Sequence, residues 1–524
     1  MARLTLYPEQ EEIVQRVLAE PTKAFLNGSQ QSQGKTVMTS EIIARSGWGR
    51  VLLVGVKDTA GQWSDSLRDQ SDGRIELKVI DARKAGQKHL ADMLSGEPGI
   101  YFMGIELFVS KDWEHRDKLD PSGERIQAIK KSTGELLYKK DGTPQWERER
   151  VQKHIYRKMK TPLDAFIGDE LHKLAANRKG VGRRTLVSVK TIWKGALSGT
   201  WHGNSFENAW SPTQWLWPEH IDPSFHRWKK EWCREGAKLT REGRPAYRIG
   251  RGGEPEPVIE IKGEKNPGAF AASLPCYFRL EGEPVPDPEI VYVDLSPVQR
   301  AQYAQMERDS LMWLAQRFPN LSEEQLYPLV AELPISQRQR LRTAAIAEMS
   351  MTEDEEVTFS DDAKSTKLEA LSGLLAHYGK QKVVIYTDSK RAAKLAVGRM
   401  KRAGLSVAEW SGDVKSDERE KIKQEFMTPL PEGGLQYIVA VISAFGTGLD
   451  GFQKHCSKVI WLSEMEGNAV ENDQAIFRIW RRGGDYENFQ HVKILARDTL
   501  DDGVFMNTKA KGDAMLLTMR KLTA

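Results

Sequence analysis

The chain has 524 residues, too many for one hydrophobic core, so two or more domains are expected. Its 40% hydrophobic content is ordinary for a globular protein, and no stretch holds the ~18 uninterrupted apolar residues of a membrane-spanning helix. With 77 basic against 73 acidic residues the net charge is only +4, so a polyanionic partner is neither named nor excluded by charge alone.

The first residues carry no apolar signal core, and the expectation is a cytoplasmic protein. Cys233, Cys276 and Cys456 lie far apart and form neither a disulfide framework nor a metal-ligand spacing. A helix over residues 10–18 leads to a short apolar strand, Ala24 to Leu26. Gly28-Ser-Gln-Gln-Ser-Gln-Gly-Lys-Thr36 follows and opens a second helix running to Ala44. Backbone N–H groups at such a helix start face phosphate oxygens. Lys35 would neutralise the β- and γ-phosphates, and the Thr36 hydroxyl would sit on Mg²⁺. The loop departs from the usual pattern. It counts one residue too many from Gly28 to Gly34, or Ser29 takes the first glycine's place; Ser32 stands where glycine is frequent.

Val51 to Val56, Gly99 to Met103, Asp164 to Gly168 and Gly195 to Ser198 are continuous apolar runs, as in strands buried on both faces. Helical stretches between them imply a parallel sheet. Gly168-Asp-Glu-Leu-His172 closes the third run. Asp169 can hold the water shell of Mg²⁺ and Glu170 can polarise an attacking water; the alternative is an ordinary acidic helix start. Residues 111–160 carry about +5 net charge, with a hairpin over Gly134 to Gly142 turning at Lys-Asp-Gly. Residues 201–285 hold many aromatics and then a Gly/Arg/Pro-rich stretch from Arg248 to Pro257. Both regions read either as surface insertions or as direct DNA contacts.

The second half repeats the alternation, with strands at Lys382 to Thr387, Leu405 to Trp410, Tyr437 to Ser443, Lys458 to Leu462 and His491 to Ala496. It has no phosphate loop. The fold class is therefore α/β: two parallel-sheet lobes in tandem with inserted helical and hairpin segments. Lobe 1 spans 1–285, with insertions at about 111–160 and 201–285, and lobe 2 spans 286–524. Arg478 and Arg481, spaced i and i+3, share a face of a predicted helix. They form either a solvated basic face or arginine fingers that reach the γ-phosphate across a cleft.

At these residues the chain resembles superfamily 2 helicases, most closely the Swi/Snf-type DNA translocases. Tyr7-Pro-Glu-Gln10 resembles the adenine-recognising segment, Val51 to Trp63 the segment beside the DNA track, and Gly168 to His172 the DExH box. Ser198-Gly-Thr200 is similar to the coupling segment, with Trp201 in place of its proline, and Asn204, Leu216 to Pro218 and Phe225 to the stretch after it. Leu295 to Gln299 with Tyr303 resembles the approach to the second lobe. Trp410 to Asp413 with Arg419, Ile442 to Leu449, and Gln474 to Arg481 resemble the later segments, Arg482-Gly-Gly484 replacing the usual Ile-Gly-Gln. The resemblance implies two RecA-like lobes, ATP with Mg²⁺, and a DNA partner bound largely without regard to sequence. It adds Gln10, Gly448 and Asp450 to the nucleotide site of Gly28, Ser29, Gly34, Lys35 and Thr36. It gives Gln62, Trp63, Ser443 and Thr447 as DNA contacts, although packing for Trp63 and turn chemistry for Ser443 and Thr447 stay open. An ATP-dependent DNA translocase or helicase is expected; the alternatives are an RNA-remodelling ATPase and a DNA-binding scaffold with a degenerate ATPase. A trimmed motor with a Trp-rich surface would suit a bacteriophage or bacterial DNA-transaction protein.

Overall fold

Every run of apolar residues named above becomes a strand, and the strands assemble into two separate parallel sheets. The computed structural model describes residues 4–129, 136–138, 143–203, 205–238, 245, 247–249, 255–317, 335–351, 357–445, 451–501, 503–506 and 509. The first sheet has seven strands in the order Tyr277–Phe278, Ala24–Asn27, Thr191–Leu197, Leu163–Asp169, Arg50–Gly55, Gly99–Gly104, Leu77–Ile80, every neighbouring pair parallel. The second has six, in the order Glu289–Val293, Gln490–Ala496, Lys458–Trp461, Val383–Thr387, Tyr437–Val441, Val407–Trp410, again all parallel. These are two RecA-like α/β lobes, and the chain passes from one sheet to the other between Phe278 and Glu289.

The central strands are buried on both faces, which is why they read as unbroken apolar runs; Ala24–Asn27, Arg50–Gly55, Val383–Thr387 and Tyr437–Val441 are buried along their whole length. In such a sheet ligands gather beyond the carboxyl ends of the strands. The phosphate loop, Asp169 and Ser198 all lie there.

Two segments depart from expectation. Residues 201–285 are not a surface insertion throughout. Trp201, Phe206, Trp215, Trp217, Trp228, Phe270 and Tyr277 are buried in the first lobe's core, and Tyr277–Phe278 is its edge strand. No tryptophan whose side chain is described is exposed, so no Trp-rich surface appears among those side chains: aromatic burial overrides the polar composition around it. Residues 113–152 do form a β ribbon, Trp113–Asp117 against Arg148–Gln152, continued outward by bridges at Leu119↔Arg125, Gln127↔Trp146, Ile129↔Leu136 and Tyr138↔Pro144. The expected Lys-Asp-Gly turn lies outside the described residues.

Candidate nucleotide site

The phosphate loop leaves the strand Ala24–Asn27 and enters the helix Lys35–Ser46. Asn27 Oδ1 accepts from the Ser29 N–H at 3.1 Å and starts the turn. One flank of the loop is clamped by the chain after the edge strand: Gly28 N donates to Phe278 O, Gln30 N to Leu280 O, and Leu280 N to Ser29 Oγ. Ser32 and Gly34 both take left-handed backbone, at φ 68° and 80°. Glycine reaches this region without strain and serine does not, which is the physical reason glycine is frequent at the position Ser32 holds.

Lys35 Nζ donates to the carbonyls of Ser29 (2.8 Å) and Gln30 (3.2 Å), so the loop curls around its ammonium. Burial pushes Lys35 down to about 8, against the opposing pull of Glu170 and Asp169. Thr36 follows on the first helical turn, half-buried. Gln10 braces the loop from behind: its Oε1 accepts from Tyr7 N and its Nε2 donates to Gln33 O at 3.1 Å.

Opposite Lys35, Asp169 ends the strand Leu163–Asp169 and Glu170 caps the next helix in left-handed backbone, φ 52°. Strain of this kind at a non-glycine residue persists where surrounding structure enforces it. Burial and the neighbouring Glu170 carboxylate push Asp169 up to about 6. Glu170 Oε2 is reached by Ser198 Oγ at 3.4 Å and lies 3.3 Å from His172 Nδ1, which itself meets Ser198 Oγ at 2.8 Å. Thr200 N donates to the same Ser198 Oγ. Glu170 is thereby tied to the Ser198–Thr200 segment, and burial lowers His172 toward its neutral form.

Arg279 was missed at the sequence level. Its Nη1 donates to Gly28 O (2.7 Å) and Gly199 O (3.1 Å), stapling the phosphate loop to the coupling segment. The one signal was a lone cation inside the apolar run Cys276 to Leu280.

The second lobe approaches this site. Ala469 and Val470 pack into the first lobe's core cluster, Arg482 stacks over the Tyr7 ring at 4.6 Å, and Trp480 Nε1 donates to Glu283 O in the connector at 2.8 Å. Arg478 lies near enough for its charge to act on Lys35, whereas the charge of Arg481 acts on the Tyr486 hydroxyl. The shared helix face is a correction: the helix Ala469–Ile476 stops before both arginines. Tight turns follow, with Arg478 N bonding Ala475 O and Trp480 N bonding Ile476 O, because Trp480 is drawn to the connector and Gly483 at φ 83° cannot prolong a helix.

Among the proposed DNA contacts, Gln62 and Ser443 are exposed. Trp63 is not: it is 1% exposed, and packing is what the structure gives it. Thr447, Gly448 and Asp450 lie outside the described residues, as does Asn204.

Residues 366–483 match the family described as the helicase conserved C-terminal domain. The second lobe is similar to a helicase C-terminal domain. Among curated proteins none matches the chain. Among solved structures, the chain is similar to the SWI2/SNF2 ATPase core of Sulfolobus solfataricus in complex with dsDNA, at 15% identity over 99% of this chain and 96% of that one, with a TM-score of 0.37.

The helicase-type lobe faces a loop suited to a nucleotide. Ser32 Oγ is buried without a hydrogen-bond partner, as are both amide atoms of Gln474 on the second lobe. A Cβ at Gly199 would sit 3.3 Å from Ser29 O and 3.6 Å from Lys35 Nζ, so glycine keeps the cradle open. The donor set of a lysine, a helix start and one hydroxyl suits phosphate, and Thr36 with Asp169 suits a hard cation that phosphate oxygens also coordinate.

Proposed function

We propose that this chain is an ATP-dependent DNA translocase or helicase of the superfamily 2, Swi/Snf-like type. One observation supports the reading: the charges of Asp169 and Glu170 from the first lobe and of Arg478 from the second all act on Lys35. Lys35 would neutralise the β- and γ-phosphates, and Thr36 and Asp169 would hold Mg²⁺, which when bound supplies positive charge against the phosphate oxygens. Glu170 orients and polarises the attacking water, while Ser198 and His172 fix its carboxylate. Arg478 and Arg481 stabilise transition-state charge from the second lobe, so hydrolysis requires the lobes to close. Alternating closure and opening moves the grip along a phosphate backbone, with Gln62 and Ser443 at the track and contacts largely independent of sequence.

The test is one ATPase series over single-stranded, duplex and forked DNA and RNA, paired with strand-separation and triplex-displacement assays. Stimulation by DNA with triplex displacement supports the proposal. Stimulation by RNA alone would assign an RNA-remodelling ATPase, and nucleotide binding without turnover would assign a scaffold.

A further inference from the structure

Trp63 stands one position from the exposed Gln62 on the helix Ala60–Gln70, yet it is 1% exposed and belongs to the first lobe's core. Burying an indole requires a partner for its N–H. Here that partner is a carboxylate from a distant strand: Trp63 Nε1 donates to Asp169 Oδ2 at 3.1 Å. Gly55 lies beside the same carboxylate, where an added Cβ would sit 3.2 Å from Asp169 Cβ and 3.6 Å from Oδ2. The same helix is keyed to the phosphate loop by a second bond, Ser66 Oγ to Ser40 Oγ at 2.9 Å, on the helix that Lys35 begins. A single rigid helix thus meets both halves of the nucleotide site and carries a polar side chain out to solvent.

We infer that Trp63 is a positioning residue for Asp169: its indole N–H occupies Oδ2, fixes the carboxylate, and holds the other oxygen ready for the Mg²⁺ water shell. The inference rests on the proposal that Asp169 helps hold the metal. It replaces a DNA-contact role for Trp63 with a link between the Gln62 helix and the metal-binding acid. Outer partners of metal-binding groups commonly change metal affinity by about 10–100-fold when lost.

The experiment is equilibrium binding of a fluorescent, non-hydrolysable ATP analogue to the full chain, first in EDTA and then across a Mg²⁺ titration. Trp63→Phe keeps an aromatic ring and removes the donor. Nucleotide affinity in EDTA should stay within about twofold, while the Mg²⁺ concentration at half-effect should rise about tenfold, the low end of that range. Ser66→Ala loosens the same helix without touching Asp169 and should keep the wild-type Mg²⁺ midpoint. Should Trp63→Phe not fold, benzothienylalanine at position 63, with sulfur in place of the N–H, retains the ring volume and is measured in the same way. A wild-type midpoint in the donor-less protein overturns the inference while leaving the site assignment intact. A wild-type protein whose nucleotide affinity ignores Mg²⁺ overturns the assignment of Asp169, and this inference with it.

Discussion

Ser32 at φ 68° and Glu170 at φ 52° place backbone strain on both sides of the proposed phosphate position, where a site held by its surroundings can retain it. Between them Lys35 is the group whose loss should matter most. Lys35→Ala is expected to fold normally, since the side chain binds only loop carbonyls, and to lose nearly all ATP turnover. A folded variant with normal turnover would remove the phosphate-loop assignment. The same residue sets a pH dependence. Burial lowers free Lys35 to about 8, and bound phosphate raises it again, so nucleotide binding takes up a proton above that value. Nucleotide affinity should therefore hold below about pH 8 and fall as pH rises through it, and Lys35→Ala should lack the step; titration calorimetry across pH 7 to 9.5 measures both. Glu170→Gln is nearly isosteric and keeps an oxygen for Ser198, but its amide cannot polarise water as a carboxylate does. It should bind ATP and fail to hydrolyse it, holding DNA in the closed state; turnover equal to wild type would show that another group positions the water.

The elements that sequence made legible are mostly those buried on both faces. Ten strands announce themselves as apolar runs; nine are central, where a parallel strand has no solvent side, and the tenth, Val407–Trp410, is an edge strand whose two end residues are buried. The strands without such a signal, Leu77–Ile80, Tyr277–Phe278 and Glu289–Val293, are all edges of their sheets, where burial is partial and the pattern breaks. The proposed phosphate loop and acid pair stood out for a related reason: the chemistry proposed for them needs particular residue types at strand ends. Arg279 and the indole–carboxylate bond of Trp63 were not, since each joins positions eighty or more residues apart through a contact that local spacing does not encode. The β ribbon shows a further limit. Its surplus of positive charge suggested DNA affinity, but along the described ribbon Arg116 pairs with Glu114, Lys118 with Glu147, and both Arg125 and Arg148 with Asp117. The exposed cations Arg157, Lys158 and Lys160 sit at its base instead. Each phosphate neutralised contributes about 0.9 to the slope of log affinity against log salt for duplex DNA. Shortening the ribbon across residues 119–146 should leave that slope nearly unchanged, whereas replacing Arg157, Lys158 and Lys160 by alanine should flatten it by about one to three. A flattened slope in the shortened ribbon would restore the ribbon itself as the DNA contact.

Among the described residues the two lobes meet at places that differ in kind: a shared apolar cluster through Ala469 and Val470, the Trp480–Glu283 bond, and the Arg482–Tyr7 stack. The helix before the arginines is anchored in its own lobe, where Tyr386 Oη donates to Ala475 O at 2.7 Å from the central strand. Arg478, three residues on, is near enough for its charge to act on Lys35, while the charge of Arg481 acts on the Tyr486 hydroxyl. The two arginines should report different stages of closure. Arg478 acts on the phosphate site as it stands, so Arg478→Ala should weaken nucleotide binding even without DNA, by up to about tenfold, because the first lobe supplies most phosphate contacts. If Arg481 reaches the phosphate only as the lobes close on DNA, Arg481→Ala should leave DNA-free nucleotide affinity unchanged and cut DNA-stimulated turnover by about a thousandfold, the low end of the arginine-finger range. Arg481→Lys should rescue poorly, since an ammonium lacks the planar fork. DNA binding by Arg481→Ala should persist but lose its response to ATP. Measured side by side, binding without DNA and turnover with it separate the two roles. If Arg481→Ala hydrolyses ATP normally and loses only DNA affinity, Arg481 contacts the track, Arg478 alone is the finger, and closure need bring no second guanidinium to the phosphate.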